Sequence, residues 1–235
     1  MNESRSLFVR ASPLRRRRSQ RIALLAICLL FFSRCPSAWP AGEPALEARF
    51  AASVPQGARE EMAQSLRAVH EAMLRGSAHA ARPDAQGAME ITIEWAASQE
   101  EFERRVRMRP EHIMAAAEPG RGRIIVNGEA FRAASPAERR STMAHEYIHL
   151  FLGLRAPGPL PRWLEEGLAM HLTGETDYDA HWRLTLANSF DALIPLANLR
   201  HGFPDDPSAR ETACRQAYSA TAYYLRLEYP VTGAA

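Results

Sequence analysis

Two histidines four residues apart flank a glutamate in the run His145-Glu146-Tyr147-Ile148-His149. On a helix, positions four apart differ by about 40° around the axis, so both imidazoles leave the same face and can share one metal ion. Zinc accepts imidazole nitrogens readily, and a catalytic zinc needs a third protein ligand plus an open position for water. Glu146 follows His145 too closely to be a convenient co-ligand. It is placed instead to act as general base on water at the metal. The plain alternative is two core histidines and a surface glutamate on an ordinary helix.

A third ligand has to come from elsewhere. The run Pro161-Arg162-Trp163-Leu164-Glu165-Glu166-Gly167-Leu168-Ala169 begins 12 residues after His149 and carries two adjacent acids. The intervening loop is long enough for a second helix to fold back beside the first and offer a carboxylate. Spacing alone leaves Glu165 and Glu166 both eligible, about 100° apart on the helix.

The elements that must position these groups are legible in outline. Ser135-Pro136-Ala137-Glu138 is a strong helix start, with a capping serine, proline in the first turn and an acid three residues after the cap. That helix is expected to run to about Leu152 and stop at Gly153. Met143, Ala144, Ile148 and Leu152 supply its apolar burial, and Tyr147 and Leu150 fall off the histidine face. Residues 154–161 hold three prolines and read as a loop, Arg162–Leu172 as the second helix, and Gly174 as its end.

Upstream, Ala45–Ser53 reads as a first strand, and Met62, Leu66, Val69 and Met73 recur at helical spacing within Gln56–Arg75. Ser77–Gly87 is a loop. Met89–Trp95 alternates like a half-buried strand, and Ser98 with Glu101 opens a helix by a capping box. Ile113–Ala117 and Arg123–Asn127 flank Glu118–Gly122 as a hairpin, and Asn127-Gly128 marks a turn. Residues 175–207 are irregular with a short helix or two, and Ser208–Glu228 is a last long helix. Strands first and helices later give an α+β fold, with a small antiparallel or mixed sheet packed on the metal-binding helix and a helical C-terminal part.

The sequence His-Glu-x-x-His on a helix, a proline-bearing loop and Trp-Leu-x-Glu-Gly-x-Ala together resemble the gluzincin metallopeptidases. They look most similar to the small bacterial peptidase MA-like proteins. Roughly residues 89–228 fit, the two motifs specifically and the rest weakly. The resemblance implies a thermolysin-like catalytic core that binds Zn²⁺ and hydrolyses peptides or proteins. It makes the glutamate before the glycine, Glu166, the third ligand beside His145 and His149, with Glu146 as base. Glu165 then falls in a variable slot and is expected to face solvent. It also implies an oxyanion-stabilising tyrosine or histidine downstream. Tyr218 matches the family's Ala-Tyr position, with Tyr223, His201 and His181 as competitors, whereas His171 reads as structural. Edge pairing of extended peptide on Arg123–Asn127 rests on the resemblance too.

Two departures stand out. The acid often found four residues after the ligand glutamate, where it orients a histidine, is replaced by Met170, so the pattern leaves that partner unnamed. The chain also ends soon after the last helix, which suggests a shallow cleft or one completed by another chain.

Composition frames these motifs. The 235 residues suffice for one domain plus a leader. All 29 basic residues are arginine, and the net charge of +2 is unevenly spread. Residues 1–41 hold eight of the arginines and one acid, which leaves residues 42–235 at about −5, unlike a nucleic-acid binder. The leader has a basic stretch to Arg21 and the eleven-residue apolar run Ile22–Phe32, far short of the roughly 20 residues that span a bilayer. It reads as an export signal removed within 35–42, giving a periplasmic or secreted protein whose catalytic domain is 42–235. An uncleaved 22–32 would anchor the chain to a membrane. Cys35 follows the apolar run as a lipoprotein cysteine does, but Arg34 is not the small residue such sites favour. Cys28 and Cys35 belong to the leader, and Cys214 alone can form no internal disulfide in the body. The competing reading for the whole chain is a catalytically inactive zinc-fold scaffold or binding module of the cell envelope. Against it stands Glu146, a base that a structural metal site does not need.

Overall fold

A computed structural model describes residues 46–77, 89–106, 113–155, 158–175, 180–190 and 192–228. The leader 1–41 and most of the expected loop at 77–87 lie outside the described residues. No helix among those described is long and apolar enough to cross a membrane.

Among the described residues, four strands and seven α-helices follow one another. They are β1 (Leu46–Phe50), α1 (Gln56–Ser77), β2 (Met89–Ala96), α2 (Gln99–Val106), β3 (Ala115–Glu118), β4 (Arg123–Asn127), α3 (Gly128–Ala133), α4 (Pro136–Arg155), α5 (Arg162–Thr173), α6 (Ala180–Ser189) and α7 (Pro207–Glu228). The sheet is mixed, in the order β1-β2-β4-β3. β1, β2 and β4 are parallel, and β3 returns antiparallel to β4 with Ala116 opposite Ile125. The fold is therefore α+β, with the strands preceding a helical C-terminal part.

Alternation along the strands sends side chains to two cores. Ile91, Ile93 and Trp95 of β2 and Ile124 and Val126 of β4 enter the larger one, where α1 and α4 cover the sheet and α5 packs on α4. Ile125 and Ala96 point the other way, onto Phe102 of α2. With neighbours on both sides and helices over both faces, β4 is interior. This corrects the expectation that Arg123–Asn127 is an edge: β3 is the outer strand on that side, because the turn Pro119–Arg121 folds it back along β4.

Two expected boundaries shift for physical reasons, and a third holds. Asn127 caps α3 rather than opening a turn, its carboxamide oxygen accepting from the N–H groups of Glu129 (3.1 Å) and Ala130 (3.3 Å). The capping box at α4 is present, Ser135 Oγ accepting from Glu138 N–H (3.3 Å) and the Glu138 carboxylate from Ser135 N–H (2.7 Å). α4 does not stop at Gly153, however. The helix continues to Arg155, and Gly153 permits close approach instead, since a Cβ there would lie 2.3 Å from Pro119 Cβ.

α4 is the spine of the molecule, and residues 147–152 are all buried. Tyr147, opposite the histidine face, is fully enclosed, and its hydroxyl is hydrogen-bonded to Nδ1 of buried His70 on α1. This polar tie inside an apolar core fixes how α4 is rolled against α1. Further on, the Gln216 carboxamide on α7 accepts from Ile194 N–H (2.9 Å) and donates to Ile194 C=O (2.8 Å), holding the segment after α6.

Removing one partner of a buried hydrogen bond costs about 1–3 kcal/mol. Tyr147→Phe is expected to lower the unfolding free energy in urea by that amount. A loss below about 0.5 kcal/mol would mean that the His70 contact does not hold α4.

Candidate metal centre

The histidine ligands and the acid meet because α5 packs directly on α4. Gly167, the residue after Glu166, is what lets α5 settle there while α7 closes behind it. A Cβ at 167 would lie 2.2 Å from Thr221 Oγ1 and 2.4 Å from the Ala217 carbonyl oxygen of α7. The glycine of the Glu-Gly pair thus serves packing at the back of the site.

His145, His149 and Glu166 each offer one ligand atom, and those atoms lie within 4.8 Å of one another. His145 Nε2 is 3.0 Å from Glu166 Oε1, and His149 Nε2 is 3.6 Å from Glu166 Oε2. The two rings sit edge to face with centroids 4.8 Å apart. Both outer nitrogens are held as well, for His145 Nδ1 faces Glu175 Oε1 at 3.2 Å and His149 Nδ1 faces Glu165 Oε1 at 2.9 Å. Two Nε2 atoms and one carboxylate aimed at a common point, with carboxylates behind both rings, is a donor set that fits a divalent metal ion.

Glu165 is not solvent-facing as expected. One position before Glu166 on α5, its carboxylate reaches the far side of the His149 ring and also pairs with Arg162 Nη1 (3.2 Å). Arg162 Nη2 reaches Glu166 Oε2 at 3.1 Å, so one guanidinium spans both acids. The sequence pattern names no partner for His145. Glu175 supplies it from just beyond the end of α5, and an acid directly after the helix-ending Gly174 was the available signal.

Glu146 is brought to the same place from its own turn of α4. Its Oε2 accepts from the Ala117 N–H of the edge strand β3 at 2.7 Å. The carboxylate lines an open cleft of about 720 Å³ together with His145 and Glu175. Ala115 of β3, Ala130 and Ala133 of α3 and Ala134 just after it line the same cleft. A second depression, about 440 Å³, lies toward Pro119, Leu160 and Glu165.

Electrostatics divides the carboxylates by role. Burial raises the pKa of Glu146, against the pull of the His149 and His145 charges, which favours keeping a proton there. Glu166 goes the other way, to about 2, because the hydrogen bond from His145 and the charges of His149, His145 and Arg162 outweigh burial. Burial likewise opposes the charged form of His145, but hydrogen bonds to Glu166 and Glu175 raise its pKa well above the usual histidine value. Glu165 and Glu175 are both lowered despite burial, chiefly by their histidine partners. Cys214 is pushed up to about 12, by burial first and then by the charge of Glu166, so it stays a thiol and is no nucleophile at neutral pH.

The remaining sequence candidates lie further along the chain, on α6, on α7 and after the turn between them. Tyr218 lies on α7 with its ring 5.8 Å from that of His171, and among the described residues it is His171 that it meets. Tyr223 is exposed on α7, His201 is exposed beyond the turn Asn198–Arg200, and the His181 side chain lies outside what is described.

Comparisons with protein-family models, with curated proteins and with solved structures found no match. Fold and site define the chain on their own terms. It is an α+β protein with a His-x-x-x-His pair on one helix and a glutamate on the next, a candidate metal site of gluzincin-like arrangement.

One divalent ion per chain is expected by elemental analysis. His145→Ala, His149→Ala and Glu166→Ala should each abolish it. Glu165→Ala should keep the stoichiometry but weaken affinity by about 10–100-fold, the usual cost of losing the carboxylate behind a ligand histidine. If Glu165→Ala strips the metal while Glu166→Ala retains it, the ligand assignment is wrong.

Proposed function

We propose that the chain is a zinc-dependent peptidase in which His145, His149 and Glu166 hold the ion and Glu146 is the general base. The observation that carries this reading is the placement of Glu146. Its carboxylate sits beside the ligand set, faces the cleft and is held on the edge strand by Ala117 N–H. A purely structural metal site has no use for a base in that position.

A zinc ion in this set supplies a Lewis acid that polarises a carbonyl and acidifies water. The chain's own groups do the rest. Glu146 takes the proton from the attacking water and returns it to the leaving amine nitrogen, and its raised pKa suits a group that must carry a proton between the two. Bound peptide is proposed to lie along β3, the outer strand, with the clefts at its two ends taking side chains. Tyr218 is proposed as the donor to the developing oxyanion. That role rests on the match of Ala217-Tyr218 to the gluzincin Ala-Tyr position.

The substrate is accordingly a peptide or protein, and the acidic body argues against nucleic acid. The basic stretch and eleven-residue apolar run support export to the periplasm or medium. Protein recovered there should begin within residues 35–42, and intact Met1 in a membrane fraction would instead mean anchoring.

Glu146→Gln keeps size and hydrogen bonding but removes the basic oxygen. Zinc content and fold should survive while hydrolysis of mixed peptides falls by about 10²–10⁴-fold, the usual contribution of positioned acid–base catalysis. Tyr218→Phe should also keep zinc and lose about 10²–10³-fold, as for removal of an oxyanion donor. Unchanged hydrolysis in zinc-loaded Glu146→Gln would place the activity elsewhere and favour a non-catalytic scaffold.

A further inference from the structure

Both ring nitrogens of His145 are committed, Nε2 to Glu166 Oε1 at 3.0 Å and Nδ1 to Glu175 Oε1 at 3.2 Å. A histidine can ligate a metal only through a nitrogen that carries no proton. An anionic acceptor at Nδ1 keeps the remaining proton there and leaves Nε2 for the metal. Without that acceptor, a neutral ring can carry its proton on Nε2, where it blocks ligation, and can turn about its χ2 bond.

We propose that Glu175 is the positioning residue of this metal centre: it fixes the His145 proton on Nδ1 and the ring's rotation so that Nε2 meets the ion beside Glu166. The proposal rests on the zinc-site reading above. Glu175 takes over a task that Met170, a thioether four residues after Glu166, cannot perform.

The chain brings Glu175 into place by the way α5 ends. Gly174 adopts the left-handed conformation (φ 74°) and turns the backbone, and Glu175 N–H closes on the Met170 carbonyl at 3.0 Å. The backbone of Glu175 is thus part of the helix terminus. Its Oε1 also accepts from Thr173 Oγ1 at 3.0 Å and from Ser141 Oγ at 3.3 Å. Ser141 is one turn before His145 on α4, so the carboxylate is aligned by both helices before any metal arrives. Glu165 stands behind His149 in the same manner, but from α5 itself and shared with Arg162.

The same contacts would also make Glu175 a mere staple between α4 and the end of α5, and the two roles separate experimentally. Glu175→Ala removes everything. Glu175→Gln keeps a carbonyl oxygen for Ser141, Thr173 and His145 but removes the charge. In the full chain, zinc affinity measured by competition with a chromophoric chelator should fall about 10–100-fold in Glu175→Ala and by a smaller factor in Glu175→Gln. The metal-free Glu175→Gln protein should melt with the wild type. In the zinc-loaded wild type the His145 Nδ1–H should give a slowly exchanging proton resonance, which Glu175→Ala should lose.

Zinc affinity in Glu175→Ala within about twofold of wild type overturns the proposal. So does an affinity loss in both variants that only mirrors a loss of metal-free stability. If the wild type binds zinc and His145→Ala does not, either of those results sinks the role of Glu175 alone. A wild type that takes up no zinc overturns the metal reading as well.

Discussion

The contact on which the rest depends is between the Glu166 carboxylate and two imidazoles of the neighbouring helix, at 3.0 and 3.6 Å. These distances require α4 and α5 to lie within side-chain reach at one defined roll. The roll of α4 is fixed by Tyr147 on the buried side, through His70, and α5 is backed by α7 at the one residue where a side chain would not fit. Everything behind the two helices, from the mixed sheet to the last helix, serves to make that geometry rigid.

Concentrating so much negative charge in one place has to be offset. Glu165, Glu166 and Glu175 each keep their charge in a partly buried setting because each faces a histidine nitrogen, and Arg162 adds a guanidinium across two of them. Glu146 differs in kind. Its hydrogen bond comes from a neutral backbone N–H, and burial raises its pKa. Four carboxylates at one centre thus divide into three kept charged by histidine nitrogens and one, Glu146, in which burial favours the proton, according to what stands opposite each.

What the sequence revealed was local. The His145–His149 spacing, the capping box at Ser135, the hairpin around Glu118–Gly122 and the stop at Gly174 all follow from period, cap or turn chemistry within a few residues. What it hid depended on tertiary placement. Gly153 reads as a helix stop from composition, yet its real constraint is Pro119, which the chain reaches only after the sheet has formed. Glu165 looks like a surface acid until α5 is docked, and Glu175 lies outside the pattern because no periodicity connects it to His145. The interior position of β4 is hidden in the same way, because strand order is set by pairing over long separations, which alternation within one strand does not encode.

The outer strand β3 also has a bearing on solubility. A strand with one unpaired side is a template for joining sheets between copies of the same chain. Here it is four residues long, three of them alanines, with Pro119 at its end and the outward N–H of Ala117 already donated to Glu146. So short a template offers little for a second β3 to register against. A chain held along it gains most of its grip from side chains in the clefts on either side. The same shortness would therefore limit pairing between copies through this edge.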